Sequence, residues 1–197
     1  MKSALISGGA KGIGKVLTLH FLNKNYHVTI CTKSLQSYKD ASIYFKKFTN
    51  KIKIVRADVS KEKDVIDLVN KTIKSKKKID LLINNAGIYG PVGKFENNNS
   101  NEWIQSIKTN INSVFFMCKY IIPHMKKNNF GRIVNISGGG ATKPMPMYSS
   151  YCASKAALVR FTETIALELK KYNITVNAVA PGFIATDIHK STLLNKT

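Results

Sequence analysis

Short apolar runs alternate with amphipathic stretches along this chain, and that alternation restricts the folds open to it more than any other feature. Runs at Ser3–Ser7, His27–Cys31, Ile52–Ala57, Ile79–Ile83, Arg132–Ile136 and Ile174–Val179 predict strands. Between them Ile13–Asn23, Leu35–Phe48, Glu62–Lys74, Glu102–Met125 and Tyr151–Lys171 predict helices; in the last, Ala157, Phe161, Ile165 and Leu169 recur every fourth residue. Strands that alternate with helices pair in parallel through right-handed crossovers, so the expected fold is α/β, a doubly wound parallel sheet with helices on both faces. The 197 residues suit one domain, and no internal repeat, linker or low-complexity tract divides them.

The first strand runs into Ser7-Gly8-Gly9-Ala10-Lys11-Gly12-Ile13-Gly14 and then a helix. Glycines there permit a tight turn and close approach of backbone to a pyrophosphate, while the helix N-terminus offers free N–H groups. Gly8, Lys11, Gly12, Ile13 and Gly14 are therefore candidate dinucleotide contacts, which would make the sheet Rossmann-type; a turn that is merely glycine-rich is the other reading. The second strand leads into Cys31-Thr32-Lys33-Ser34, with no carboxylate before Asp40 to meet the ribose hydroxyls of NAD. Lys33 and Lys11 are then either solvated lysines or partners of a 2′-phosphate, and NADP(H) is expected ahead of NAD(H). Asp58, before Val59, either accepts from an adenine amino group or caps the next helix with Ser60. Asn84-Asn85-Ala86-Gly87 suits a floor beneath a cofactor and a plain turn equally. Asn110 interrupts the apolar face of Ile107, Ile111 and Val114 as an exposed amide, a packing device or a site residue.

Tyr151 and Lys155 stand four apart at the start of the last helix and share a face. Bringing a tyrosine from a pKa near ~10 to neutrality takes about 4 kcal/mol of preferential phenolate stabilisation, and an ammonium one turn away is a source of part of it. An amphipathic helix with a surface lysine has the same pattern.

Composition sets the outer bounds. With 44% hydrophobic and 21% charged residues the chain reads as soluble and globular, and no apolar run reaches membrane-spanning length. Three cysteines without metal-ligand spacing suggest reduced thiols, no metal, and a cytoplasmic setting. The net charge of +20 suggests nucleic acid, but only Arg56, Arg132 and Arg160 among 31 basic residues carry a guanidinium. Lys46-Lys47, Lys76-Lys77-Lys78, Lys126-Lys127 and Lys170-Lys171 instead fall near predicted helix ends, where they complement the dipole, so a solvated basic rim is expected and nucleic acid is not.

Taken together, Ser7-Gly8-x-x-x-Gly12-x-Gly14, Asp58-Val59, Asn84-Asn85-Ala86-Gly87, Asn110, Gly131–Ser137, Tyr151-x-x-x-Lys155 and Pro181-Gly182 resemble the short-chain dehydrogenases/reductases, in the order and approximate spacing of that family. The resemblance covers nearly the whole chain and looks most like 3-oxoacyl-carrier-protein reductases. It implies an NAD(P)-dependent interconversion of a carbonyl and a secondary alcohol. Tyr151 would be the general acid/base, Lys155 would bind the nicotinamide ribose and lower the Tyr151 pKa, and Asn110 would hold a relaying water. Gly8, Gly12, Gly14, Asp58, Val59, Asn84, Ala86, Gly87, Pro181 and Gly182 would line the cofactor site. The family's substrate-orienting serine falls at Gly138 here, so Ser137 is expected to replace it. The family also continues past Pro181-Gly182 through a substrate-covering segment, a strand and a helix, whereas this chain stops at Thr197. About six strands are therefore expected, with the last at an edge that missing chain or a partner subunit covers. The resemblance further implies a small-molecule substrate and a homodimer or homotetramer. A cofactor-binding sensor without turnover is the alternative.

Overall fold

A computed structural model describes residues 1–182 and Ile184. Six strands, β1 (Ser3–Ser7), β2 (His27–Thr32), β3 (Ile52–Arg56), β4 (Leu81–Asn84), β5 (Gly131–Ile136) and β6 (Ile174–Val179), form one parallel sheet in the order β3-β2-β1-β4-β5-β6. The doubly wound topology is thus as the alternation predicts. β1 is central and buried along its whole length. Its side chains alternate between two cores: Leu5 joins Val65, Leu68, Met117, Ile121 and Leu158 on one face, while Ala4 and Ile6 join Leu22, Ile30, Ala41 and Phe45 on the other. Helices α1 (Gly12–Asn23) and α2 (Leu35–Tyr44) therefore cover one side, and α3 (Glu62–Lys76), α5 (Ser113–Lys127) and α6 (Ser149–Glu168) the other.

The long helix expected over Glu102–Met125 is divided. Helix α4 (Ser100–Ile107) gives way to a π-helical segment, Lys108–Asn112, before α5 begins. The wider turn carries Asn110, whose amide meets both backbone groups of Ile88: Oδ1 accepts from Ile88 N at 2.9 Å and Nδ2 donates to Ile88 O at 2.8 Å. Such single turns interrupt helices where a side chain must be re-aimed. At the opposite edge of the sheet, Lys74 and Lys76 close α3 and Lys126 and Lys127 close α5, which makes the basic rim. Among the described residues no helix is long and apolar enough to cross a membrane.

Candidate active site

The chain winds one way from β1 to β3 and the other from β4 to β6, and a cleft of about 1200 Å³ opens at the carboxyl ends of the strands where the two directions part. Ser7 ties the two halves together there, its Oγ accepting from the N–H groups of Asn85 and Ala86 at 3.0 Å each. Asn85 returns the contact, donating through Nδ2 to the carbonyls of Ser7 and Gly8.

The β1–α1 turn forms one end of the cleft. Gly8 and Gly12 hold φ of +64° and +48°, which side chains rarely adopt. A Cβ on Gly14 would overlap the Gly8 carbonyl oxygen and lie 2.6 Å from Asn85 Nδ2, so the turn is pressed flat against the β4 loop. Lys11 is extended at the N-cap and supplies no side-chain cap, leaving the first N–H groups of α1 to a ligand. This cradle, with Lys11 and Ile13 on its rim, fits a pyrophosphate.

Lys33 lies at the neighbouring wall with its Nζ 3.0 Å from Asp58 Oδ2. Asp58 closes a turn onto Ser60, accepting from its N–H and hydroxyl, while the N-cap of α3 is Lys61. Burial alone would raise the Asp58 carboxyl, but the hydrogen bonds from Ser60 and Lys33 outweigh it and hold the group below the ordinary carboxylate range. Val59, Ala86, Gly87, Pro181 and Gly182 line the cleft with them. Asn84 does not. It ends β4 on the Leu82 face, and its Nδ2 donates to Asn135 Oδ1 at 2.9 Å in an interior chain that continues through Thr162 to the Leu158 carbonyl. Strand alternation turns the Asn84 side chain away from the cleft.

Helix α6 brings Tyr151 and Lys155 into the middle of the cleft. Lys155 is 5% exposed and its Nζ donates to Ile136 O at 2.8 Å. Among the described residues no carboxylate pairs with it. Burial pushes this ammonium down to about 8. Its Nζ is 5.7 Å from the Tyr151 ring centroid, and a Cβ on Gly87 would lie 3.4 Å from it and 3.3 Å from Asn110 Oδ1. Gly87, Asn110 and Lys155 therefore converge. The Asn110 amide is engaged with Ile88 and with Ser154 Oγ, which in turn donates to the Tyr151 carbonyl. Its side chain braces the loop and the helix. Tyr151 itself is half-buried, and burial first, then the Cys152 thiol, push its phenol above the usual value. The lowering that a lysine one turn away suggests is not seen in this structure.

Ser137 is 3% exposed and its Oγ donates to Lys155 O at 3.3 Å, so its hydroxyl is turned to the helix backbone and not toward Tyr151. Gly138 takes the place beside the phenol: a Cβ there would overlap Tyr151 Oη. Sequence reasoning quoted Asn85 within the Asn84–Gly87 stretch but gave it no role of its own, and here it pins the glycine turn. It passed over Tyr89, whose ring packs on Tyr151 at 4.9 Å between centroids and whose only signal was adjacency to that stretch.

A doubly wound sheet with a glycine turn at its switch point is that of the dinucleotide-binding proteins. Whole-chain comparison narrows this: the family model described as short chain dehydrogenase matches residues 2–196, and the chain belongs to that family of oxidoreductases. It is 32% identical over 187 residues to a 3-oxoacyl-[acyl-carrier-protein] reductase of Chlamydia pneumoniae, covering 95% of this chain and 75% of the relative. It is 33% identical over 193 residues to glucose 1-dehydrogenase 2 of Bacillus subtilis, covering 97% and 75%. Among solved structures, ElxO with NADP bound superposes with a TM-score of 0.91 at 34% identity, covering 100% of this chain and 79% of that one. An actinorhodin polyketide ketoreductase variant with NADPH gives 0.93 at 27%, covering 98% and 75%.

Proposed function

We propose that this protein is a cytoplasmic NADP(H)-linked oxidoreductase that interconverts a carbonyl and a secondary alcohol. One observation carries the reading: Lys155, a buried ammonium without a carboxylate partner among the described residues, lies in a cleft beside Tyr151 and opposite a phosphate cradle. A charge so buried is costly unless a ligand or a reaction uses it. The glycine turn and the N-terminus of α1 would hold the pyrophosphate, Lys11 and Lys33 a 2′-phosphate, and Lys155 the nicotinamide ribose. The bound cofactor supplies or accepts the hydride. Tyr151 Oη gives its proton to the carbonyl oxygen in reduction and takes it back in oxidation, and Lys155 favours the phenolate. Ile136, Pro181 and Ile184 add apolar lining to the cleft. The NADP-bound and NADPH-bound neighbours support the cofactor assignment by likeness, and the family supports assembly as a homodimer or homotetramer.

The test is titration with NADPH and NADH, followed by a carbonyl panel, on wild type and Tyr151→Phe. Both proteins are expected to bind NADPH, with turnover falling roughly 10²- to 10⁴-fold in the variant. Undiminished turnover by Tyr151→Phe would remove the tyrosine from the chemistry. For the cofactor, Lys33→Asp should shift the affinity ratio toward NADH; an unmoved ratio would dismiss the 2′-phosphate contact.

A further inference from the structure

Beside Tyr151 the cleft has two unlike walls. Tyr89, in the loop after β4, packs edge-on against Tyr151 with 68° between the ring planes, and against Tyr148 with centroids 5.2 Å apart. Gly138 and Gly139, which line the same cleft, present backbone alone; a Cβ on Gly139 would meet nothing nearer than Met145 Sδ at 3.9 Å. The hydroxyls on that floor are turned into the backbone, Ser137 Oγ donating to Lys155 O and Thr142 Oγ1 to Gly139 O at 3.0 Å. Lys143, Met145 and Tyr151 line the cleft beside these peptide planes.

The aromatic wall is held in place. Gly90 has a φ of +73°, and a Cβ there would lie 2.5 Å from Ser150 Oγ and 2.6 Å from Ser106 Cβ, so the loop is pressed onto both α4 and α6. Ser150 Oγ donates to Tyr89 O at 3.2 Å. Gly93 N donates to Met147 O at 3.1 Å, tying the same loop to the segment that carries Tyr148.

We propose that Tyr89 is the specificity-determining residue of this cleft, and that the slot between Tyr89 and Gly138–Gly139 takes carbonyl compounds whose carbonyl is attached to a flat apolar ring. A ring entering the slot meets the Tyr89 ring and lies over the glycine backbone, gaining an aromatic contact that a flexible alkyl chain does not make. A polyol in the same place would give up hydration without gaining that aromatic contact. The proposal takes its chemistry from the carbonyl-reductase reading, but the binding preference is measurable without turnover.

The experiment compares acetophenone with 2-octanone, ketones of equal carbon count, on the NADP⁺-saturated protein by calorimetry and, separately, as substrates with NADPH. Wild type is expected to bind acetophenone about three- to tenfold more tightly than 2-octanone. Tyr89→Phe keeps the contrast and Tyr89→Leu removes it. Gly139→Leu, on the glycine wall, weakens acetophenone selectively and serves as a second variant should Tyr89→Leu fold poorly. A contrast that survives both leucine variants, equal binding of the two ketones, or no binding of either overturns the proposal. Tyr89-dependent binding without reduction of any carbonyl would keep the slot and end the reductase reading; reduction of both ketones with equal KM would do the reverse.

Discussion

Gly138 stands where any side chain would collide with the Tyr151 hydroxyl. Its φ of 172° and ψ of 175° are ordinary extended backbone, so the demand is for space and not for a special conformation. Gly138→Ser, although it places a serine where the family usually has one, is expected to lower turnover about tenfold or more and to cost roughly 1–3 kcal/mol of stability by overpacking. Gly139→Ala, with only Met145 Sδ near, should leave both close to wild type. Steady-state kinetics and urea melts of the two variants check this, and a more active Gly138→Ser would refute the placement of Tyr151. Lys155 makes a pH-dependent prediction. Its folded-state value of about 8 lies below the ordinary 10.5, so between those values the unfolded chain holds more protons than the folded one. Stability attributable to this group therefore rises with pH across that window, and below it the folded protein carries the cost of a buried charge. Without cofactor, Lys155→Met should be more stable than wild type at neutral pH by roughly 1–3 kcal/mol. The gain should shrink toward zero by about pH 10.5, as read from denaturation curves at several pH values.

The π-helical segment Lys108–Asn112 couples two elements that the chain separates. Through it, Asn110 reaches both backbone groups of Ile88 and, through Ser154, the first turns of α6. Asn110→Ala leaves an N–H and a C=O in the β4 loop without partners, and a loss of roughly 2–4 kcal/mol is expected. Hydrogen exchange at Ile88 should accelerate and cofactor affinity should fall, since Ala86 and Gly87 sit on that loop; unchanged exchange at Ile88 would show that the brace is dispensable. The six strands and the helices were legible to within a few residues because each is a local periodicity of apolar side chains. The break in the long helix was not. It depends on a contact 22 residues away in the chain, and Asn110 interrupting an apolar face was the only local sign of it.

At the scale of the molecule, cations gather around the start of β2 as well as at the cleft. The His27 imidazole, on the basic rim, is pushed down by burial first and then by Lys76, the N-terminal ammonium and Lys51. Phe115 on α5 and Ile104 on α4 remain exposed at 45% and 47% in a single chain. An oligomer that covers them is expected, and light scattering should report a mass of two or four chains; a monodisperse monomer would exclude it. The amino-acid sequence by itself determined the element order, the parallel doubly wound sheet, the glycine turn and the Tyr151–Lys155 pair. Each of these is written in short-range spacing, and a sheet wound in two directions places the pair and the turn at one edge without further instruction. Only the tertiary structure decided that Asn84 faces the interior, that Ser137 turns to the Lys155 carbonyl, that Lys33 pairs with Asp58 and that Tyr89 packs on Tyr151. Those outcomes depend on which face of a strand a residue ends upon and on partners 18 to 62 positions away in the chain, where local periodicity carries no information.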